Sequence, residues 1–335
     1  MKIKKDELLK ALEIVKPGLA SKEIIEQSTH FAFIKDRVVT YNDEISISHS
    51  VPGMDVNGVI QADELYKLVG KLKRDEIDLE VTENELIITV GKAQAGLRLQ
   101  TEIKLPLSEI DRQEKWKPLP EKFLEAVRFA IGSCSNDMSR PKTTCVHVSS
   151  TYAEGSDGYR ISKYMVKNIP VENLLVPASS MKEMLKIKPT EITVGHSWVH
   201  FRAGETMLSC RVIAEEYFDT QPHLKIEGAQ EIVFPQNIYE LLDRAAVFSK
   251  RDHFLDESVG IELTQKRIKV RGESLVGWFE EETITKYSGP EIKFDITPTL
   301  LKDILKMEGR CGVSSNKIKF TGEDWEYVAL LKNQK

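Results

Sequence analysis

The feature that most constrains this chain is an internal repeat. The segment Tyr66-Lys67-Leu68-Val69-Gly70-Lys71-Leu72 returns in outline as Met181-Lys182-Glu183-Met184-Leu185-Lys186-Ile187, 115 residues on, and as Leu301-Lys302-Asp303-Ile304-Leu305-Lys306-Met307, a further 120 on. A second set recurs in the same order at spacings of 115 and 115: Glu7-Leu8-Leu9-Lys10-Ala11-Leu12, Lys122-Phe123-Leu124-Glu125-Ala126-Val127 and Asn237-Ile238-Tyr239-Glu240-Leu241-Leu242. Either match alone describes many surface helices. Two registers that agree in order and spacing constitute a repeat, and its period sets the architecture before any motif does.

Between the repeated helices each unit shows alternating runs ending in a turn: Tyr41-Asn42-Asp43-Glu44, Gly155-Ser156-Asp157-Gly158 and Arg271-Gly272-Glu273-Ser274. Further alternating runs follow the second helix, so each unit reads strand, helix, three or so strands, helix, three strands. Pro106, Pro118 and Pro120, then Gln221, Pro222 and Gly228, mark the joins, which places domains at 1–114, 115–229 and 230–335. Length alone, at roughly 150 residues per domain, predicts two. The class expected is α+β, three domains each with two helices.

The chain carries 47 basic and 52 acidic residues, a net charge of −5, which does not advertise a nucleic-acid partner. Its distribution is another matter. The second helix of each unit, expected over 61–74, 177–188 and 298–307, holds Lys67, Lys71, Lys73, Arg74, Lys182, Lys186, Lys188, Lys302 and Lys306 against Asp63, Glu64, Glu183 and Asp303. Lysines at i and i+4 fall roughly opposite the apolar stripe. Positive charge on one class of helix in an acidic protein suits a polyanion, and without interleaved aromatic residues the contact would be with phosphates, indifferent to sequence.

No phosphate loop, dinucleotide fingerprint, H-E-x-x-H or G-x-S-x-G elbow occurs, so no catalytic residues, cofactor or metal are assigned. His196 and His200 lie on one face of a strand about 13 Å apart, too far for one metal. Cys134, Cys145, Cys210 and Cys311 lack zinc or redox spacing and read as free, mostly buried thiols. No apolar run approaches the ~18 residues of a membrane span, and Asp6 and Glu7 interrupt any signal-like start, so a cytoplasmic protein is expected. A non-catalytic binding role is favoured. A three-domain protein-interaction scaffold that never binds DNA, and an enzyme whose polar groups converge from distant positions, stay open.

With three such repeats, Ser156-Asp157-Gly158-Tyr159-Arg160-Ile161 resembles the T-D-G-H-R-L stretch of the bacterial and phage sliding clamp, the beta subunit of the replicative DNA polymerase III. Arg244-Ala245-Ala246-Val247-Phe248-Ser249 is similar to its R-A-A-I-L-S, and Leu8-Leu9-Lys10 also agrees. The resemblance covers the whole chain. It implies helices packed on antiparallel sheets and a head-to-tail homodimer closed into a ring, sheets outside and helices lining a hole for double-stranded DNA. Such a processivity factor tethers DNA polymerase to its template. The resemblance assigns the dimer interface to Leu97 and Leu99 with Val247 and Phe248. It assigns a pocket for short peptides of polymerase and clamp-loader subunits to Ser156, Gly158, Tyr159, Arg160, Ile161, Phe218, Pro222, Val328 and Leu330. Tyr159 replaces the family's histidine, Phe218 its proline, and Lys142 an apolar residue. DNA contact falls to Lys22, Arg140 and Lys142 beside Lys67, Lys71, Arg74, Lys182, Lys186, Lys302 and Lys306.

Overall fold

The computed structural model describes residues 1–110 and 115–332, and in them one order of elements occurs three times. In the first, β1 (Lys2–Lys4) and helix α1 (Lys5–Val15) precede β2 (His30–Lys35), β3 (Arg37–Tyr41), β4 (Ile45–Ser50) and β5 (Val56–Gln61). Helix α2 (Ala62–Lys71) then leads to β6 (Glu76–Val81), β7 (Glu85–Val90) and β8 (Ala93–Arg98). In the second, β9 (Lys117–Pro118) and α3 (Phe123–Ile131) precede β10 (Cys145–Ser149), β11 (Tyr152–Ser156), β12 (Arg160–Met165) and β13 (Asn173–Pro177). There α4 (Ala178–Ile187) leads to β14 (Glu191–Val194), β15 (Trp198–Ala203) and β16 (Thr206–Arg211). A one-turn helix, α5 (Gln221–Leu224), introduces the third: β17 (Gln230–Val233), α6 (Ile238–Ala246), β18 (Val259–Thr264), β19 (Arg267–Ser274), β20 (Gly277–Ile284) and β21 (Ile292–Ile296). It ends with α7 (Pro298–Leu305), β22 (Arg310–Val313), β23 (Lys317–Thr321) and β24 (Trp325–Leu330). Four strands, not three or so, follow the first helix of each repeat. The expected join at 114 and the chain end at 335 lie outside the described residues.

Helical spacing decides which side chains go inside. Leu8, Leu12 and Val15 of α1, Ile238, Leu241 and Leu242 of α6, and Leu300, Leu301 and Ile304 of α7 are all buried. Each contributes about 1.5–3 kcal/mol of apolar burial. The last turn of each repeat's first helix presses on the sheet at one equivalent position. In the second and third repeats that position is Gly155 or Gly272, where an added Cβ would fall 2.3 Å from the Ala130 carbonyl oxygen or 2.0 Å from that of Ala245. In the first it is Thr40, whose hydroxyl donates to the Val15 carbonyl oxygen at 2.6 Å. This accounts for a misplaced turn: Arg271-Gly272-Glu273-Ser274 lies within β19, and the chain reverses at Leu275-Val276. Gly272 serves close approach of a helix, not a turn.

The chain forms two compact units, Met1–Leu124 with Pro170–Ala214, and Glu125–Ile169 with Glu215 onward. The first holds a sheet of order β1-β6-β7-β8 and one of order β5-β2-β3-β4-β16-β15-β14-β9. The second holds β21-β18-β19-β20 and the run β10-β11-β12-β24-β23-β22-β17. All pairings named here are antiparallel. Each long sheet is two shorter ones joined edge to edge, at β4 with β16 through Ser46 opposite Ser209, and at β12 with β24 through Ile161 opposite Val328. The equivalent edges β20 and β8 end their sheets without a neighbour among the described residues.

Candidate functional site

The β11–β12 turn is built by its own side chains. Asp157 Oδ1 accepts from the backbone N–H groups of Tyr159 (2.9 Å) and Arg160 (3.0 Å), and Ser156 Oγ accepts from Gly158 N–H at 3.1 Å while donating to the Arg160 carbonyl at 2.7 Å. Gly158 sits at φ +89°, where a side chain would be strained. Arg160 donates from Nε to Asp157 Oδ2 (3.0 Å) and from a terminal nitrogen to Asp303 Oδ2 of α7 (2.8 Å). Burial works against its charge, but Tyr327, Asp157 and Asp303 outweigh that and hold its pKa above the ordinary guanidinium value.

This turn forms one wall of a cavity of about 350 Å³. Eight of the nine residues expected at the pocket line it: Ser156, Gly158, Tyr159, Arg160, Ile161, Phe218, Val328 and Leu330. Pro222 does not; it is exposed in the first turn of α5. Sequence reasoning missed Thr143, His223 and Lys317, which complete the lining. Lys317 faces Leu330 across β23 and β24, a pairing that the register of the repeats would have exposed. Below the cavity Leu224 packs with Ile161 and Val328. An apolar floor with a few fixed polar groups has the make-up of a binding site. Lys142 stands outside the lining, its ammonium 3.5 Å from Glu215.

The basic residues divide into two groups. Lys67 pairs with Asp63 (2.5 Å) and Lys186 with Glu183 (2.7 Å), each on its own helix, and Lys302 of α7 reaches Asp243 of α6. Asp243 is held below the ordinary carboxylate range by its hydrogen bond from Lys302. Lys22, Lys71, Arg74, Arg140, Lys182 and Lys306 are exposed. The helices are shorter than their expected spans, which corrects the charge reading. Within its observed ends α2 holds two lysines against two carboxylates, α4 two against one, and α7 one against one. The excess comes from Lys73, Arg74, Lys188 and Lys306 just past the last turns, where cations complement the helix dipole.

The four residues expected at a dimer interface also separate. Val247, at the end of α6, is 65% exposed, and Phe248 is half-buried beside Gly277 of β20. Leu97 is half-buried on the edge strand β8. Leu99 is only 3% exposed and packs toward Gly58 of β5 within its own chain, so it has little surface to offer a second molecule. Four exposed apolar residues that sequence reasoning missed lie on and beside β20: Leu275, Val276, Trp278 (60%) and Ile284 (80%). Cys145, Cys210 and Cys311 are buried free thiols and Cys134 is half-buried. Among the described residues no group of acidic, histidine and cysteine side chains could hold a metal ion, and no helix is long and apolar enough to cross a membrane.

No protein-family model and no curated protein matches the sequence. Solved structures do match in shape. The DNA polymerase III beta chain of Streptococcus pneumoniae aligns with a TM-score of 0.87 at 20% identity over 99% of each chain. The DNA polymerase sliding clamp of Bacillus subtilis aligns at 0.86 and 20% identity, covering 100% of this chain and 99% of that one. A Pseudomonas aeruginosa sliding clamp bound to griselimycin aligns at 0.84 and 15% identity over 100% and 99%. Over its described residues this chain has the fold of the DNA polymerase III beta subunit, the sliding clamp.

Proposed function

We propose that the protein is a DNA sliding clamp: a non-catalytic homodimeric ring of six domains, at 1–114, 115–229 and 230–335 in each chain, that encircles duplex DNA and tethers a replicative polymerase. The observation that carries this reading is the pair of open edges on a chain with the clamp fold. Two of three equivalent edge-to-edge junctions form inside the chain, and the third, β20 with β8, needs a second copy. Continuing the register of the two internal junctions sets Trp278 opposite Gly96 of a second copy and Glu282 opposite its Lys92. A tryptophan across from an edge glycine covers exposed backbone, and the charge pair favours this partner. Trp278, Val247, Phe248 and Leu97 are the contact residues on this reading, and the covered edges would otherwise invite aggregation.

Exposed Lys22, Lys71, Arg74, Arg140, Lys182 and Lys306 would meet phosphates, with the paired Lys67, Lys142, Lys186 and Lys302 joining by exchanging their carboxylate partners. A ring holds DNA by topology, so these contacts need only be weak and water-mediated. The cavity at Ser156, Tyr159 and Leu330 would seat a short peptide of polymerase and loader subunits. Two measurements test the proposal. Solution mass should be about 76 kDa, twice the 38.1 kDa chain. A loaded protein should stay on nicked circular DNA and run off the linearised form. A monomer, or equal retention on both, overturns it.

A further inference from the structure

We propose that Glu154, a buried carboxylate on β11, is a positioning residue that holds segment 217–224 in place as a wall of the peptide cavity; this rests on the reading of that cavity as the partner site. Glu154 is 2% exposed, is hydrogen-bonded by His147 and Thr220, and has the Lys163 ammonium as its counter-charge. His147 Nδ1 lies 2.7 Å from Oε1, Thr220 Oγ1 donates to Oε2 at 2.6 Å, and the Lys163 ammonium stands 3.2 Å from Oε2 and 3.5 Å above the Tyr152 ring. An ionised carboxylate only accepts, so Nδ1 carries the proton of the His147 contact.

Two routes lead from this anion to the cavity. Thr220 stands at the N-cap of α5, where a threonine hydroxyl ordinarily accepts from the helix, yet here it makes no cap bond and donates to Glu154 instead. His147 stacks on Tyr217 (4.7 Å between ring centroids), and Tyr217 stacks on Phe218 (4.2 Å), which lines the cavity. The far end of the segment is gripped separately. Lys317 Nζ donates to the His223 carbonyl at 3.1 Å and Lys319 Nζ to that of Leu224 at 2.9 Å. Fixed at both ends, with Leu224 packed on Ile161 and Val328, the segment presents Phe218 and His223 to the cavity.

Thr220→Val removes the hydroxyl and keeps the shape. Losing one hydrogen bond to a buried charge should raise local opening by about tenfold. Hydrogen exchange of the Gln221 and His223 to Lys225 amides should rise by that factor while β10 and β12 amides are unchanged, and griselimycin affinity should fall by a similar factor with solution mass unaltered. Glu154→Gln alone leaves Lys163 buried beside a neutral group, so the Glu154→Gln, Lys163→Met pair provides a folded second variant with the same expected local exchange. Unchanged exchange in Thr220→Val, or a rise shared by the whole unit, overturns the positioning role. If wild-type protein ignores griselimycin while segment exchange rises as stated, the positioning role stands and the peptide-site reading loses its support.

Discussion

The two internal junctions, β4 with β16 and β12 with β24, are made from equivalent strands and end differently. Where the first has Tyr41, Trp198 and Arg211, the second has Ser156, Lys317 and Leu330, as the cross-strand pairs Trp198 with Arg211 and Lys317 with Leu330 show. At the first, the Tyr41 and Trp198 rings pack 6.1 Å apart in a cluster with Leu105 and Ile110, and the Arg211 guanidinium lies 4.8 Å over Trp198. At the second, a serine, a lysine turned to backbone carbonyls and a 40% exposed leucine leave the 350 Å³ cavity. One junction is filled and the other is left open, on the same backbone, and on the proposed reading the open one takes a peptide.

Substitution at the filled junction should therefore be felt in folding. Trp198 is 1% exposed, and Trp198→Ala should cost about 4 kcal/mol in urea unfolding. Leu330→Ala, at the rim of the open junction, should stay within about 0.5 kcal/mol. Equal losses would erase the contrast.

Next in size is the buried anion behind the open junction. Burial pushes the Glu154 pKa up, but hydrogen bonds from His147 and Thr220 and the charge of Lys163 outweigh it, leaving it below the ordinary 4.5. A depressed carboxylate adds stability that is complete above its unfolded pKa and lost as pH falls through the folded one. Glu154→Gln should cost about 3 kcal/mol at pH 7, since it strands Lys163. That difference from wild type should shrink steadily as pH drops below about 4. A difference independent of pH would mean that Glu154 is not ionised.

The third effect is on ligand. Ser156→Tyr with Leu330→Arg writes the first junction's residues into the second and, on the proposed peptide-site reading with griselimycin as the probe, should weaken binding by about 2 kcal/mol, read by calorimetry, with the fold intact. Undiminished binding would place that ligand elsewhere.

How much of this contrast is legible in the sequence differs between its two halves. The repeat is legible because helix positions such as Leu8, Phe123 and Ile238 must be apolar wherever the fold recurs, so period survives even at 15–20% identity to the matched clamps. Five of the eleven lining residues are legible in the Ser156–Ile161 stretch through its resemblance to the clamp family, and its Asx turn needs Asp157 and Gly158 by type. Lys317 is not, because it enters through cross-strand register, which a linear scan does not see, and Thr143 is not, because it comes from the turn Pro141–Thr144, outside the matched stretch. Leu99 misleads for the same reason: alternation says that it shares a face with Leu97, but the chain leaves β8 at Arg98 and turns Leu99 inward. Arg211 and Leu330 are both the last residue of a junction strand, and only the partner strand tells which covers a ring and which borders a cavity.

The smallest effect tests what keeps the first junction closed. Arg211 donates to Asp43 Oδ1 at 2.6 Å and to the Asp43 carbonyl at 2.9 Å, with Tyr41 Oη at 3.4 Å, and its side chain is more than a third exposed. Solvent screens such a pair, so Arg211→Leu, which installs the residue found at the open junction, should cost only about 1 kcal/mol in urea. Tyr41 and Trp198 would still fill the space, and if griselimycin occupies the open junction as the proposed peptide site, its stoichiometry should not rise above that of the wild type. A second equivalent bound by Arg211→Leu would mean that the guanidinium, not the two rings, closes the junction. If instead the second equivalent arises only when Tyr41→Ser is added, ring volume is what distinguishes the two junctions, and the open one owes its cavity to Ser156.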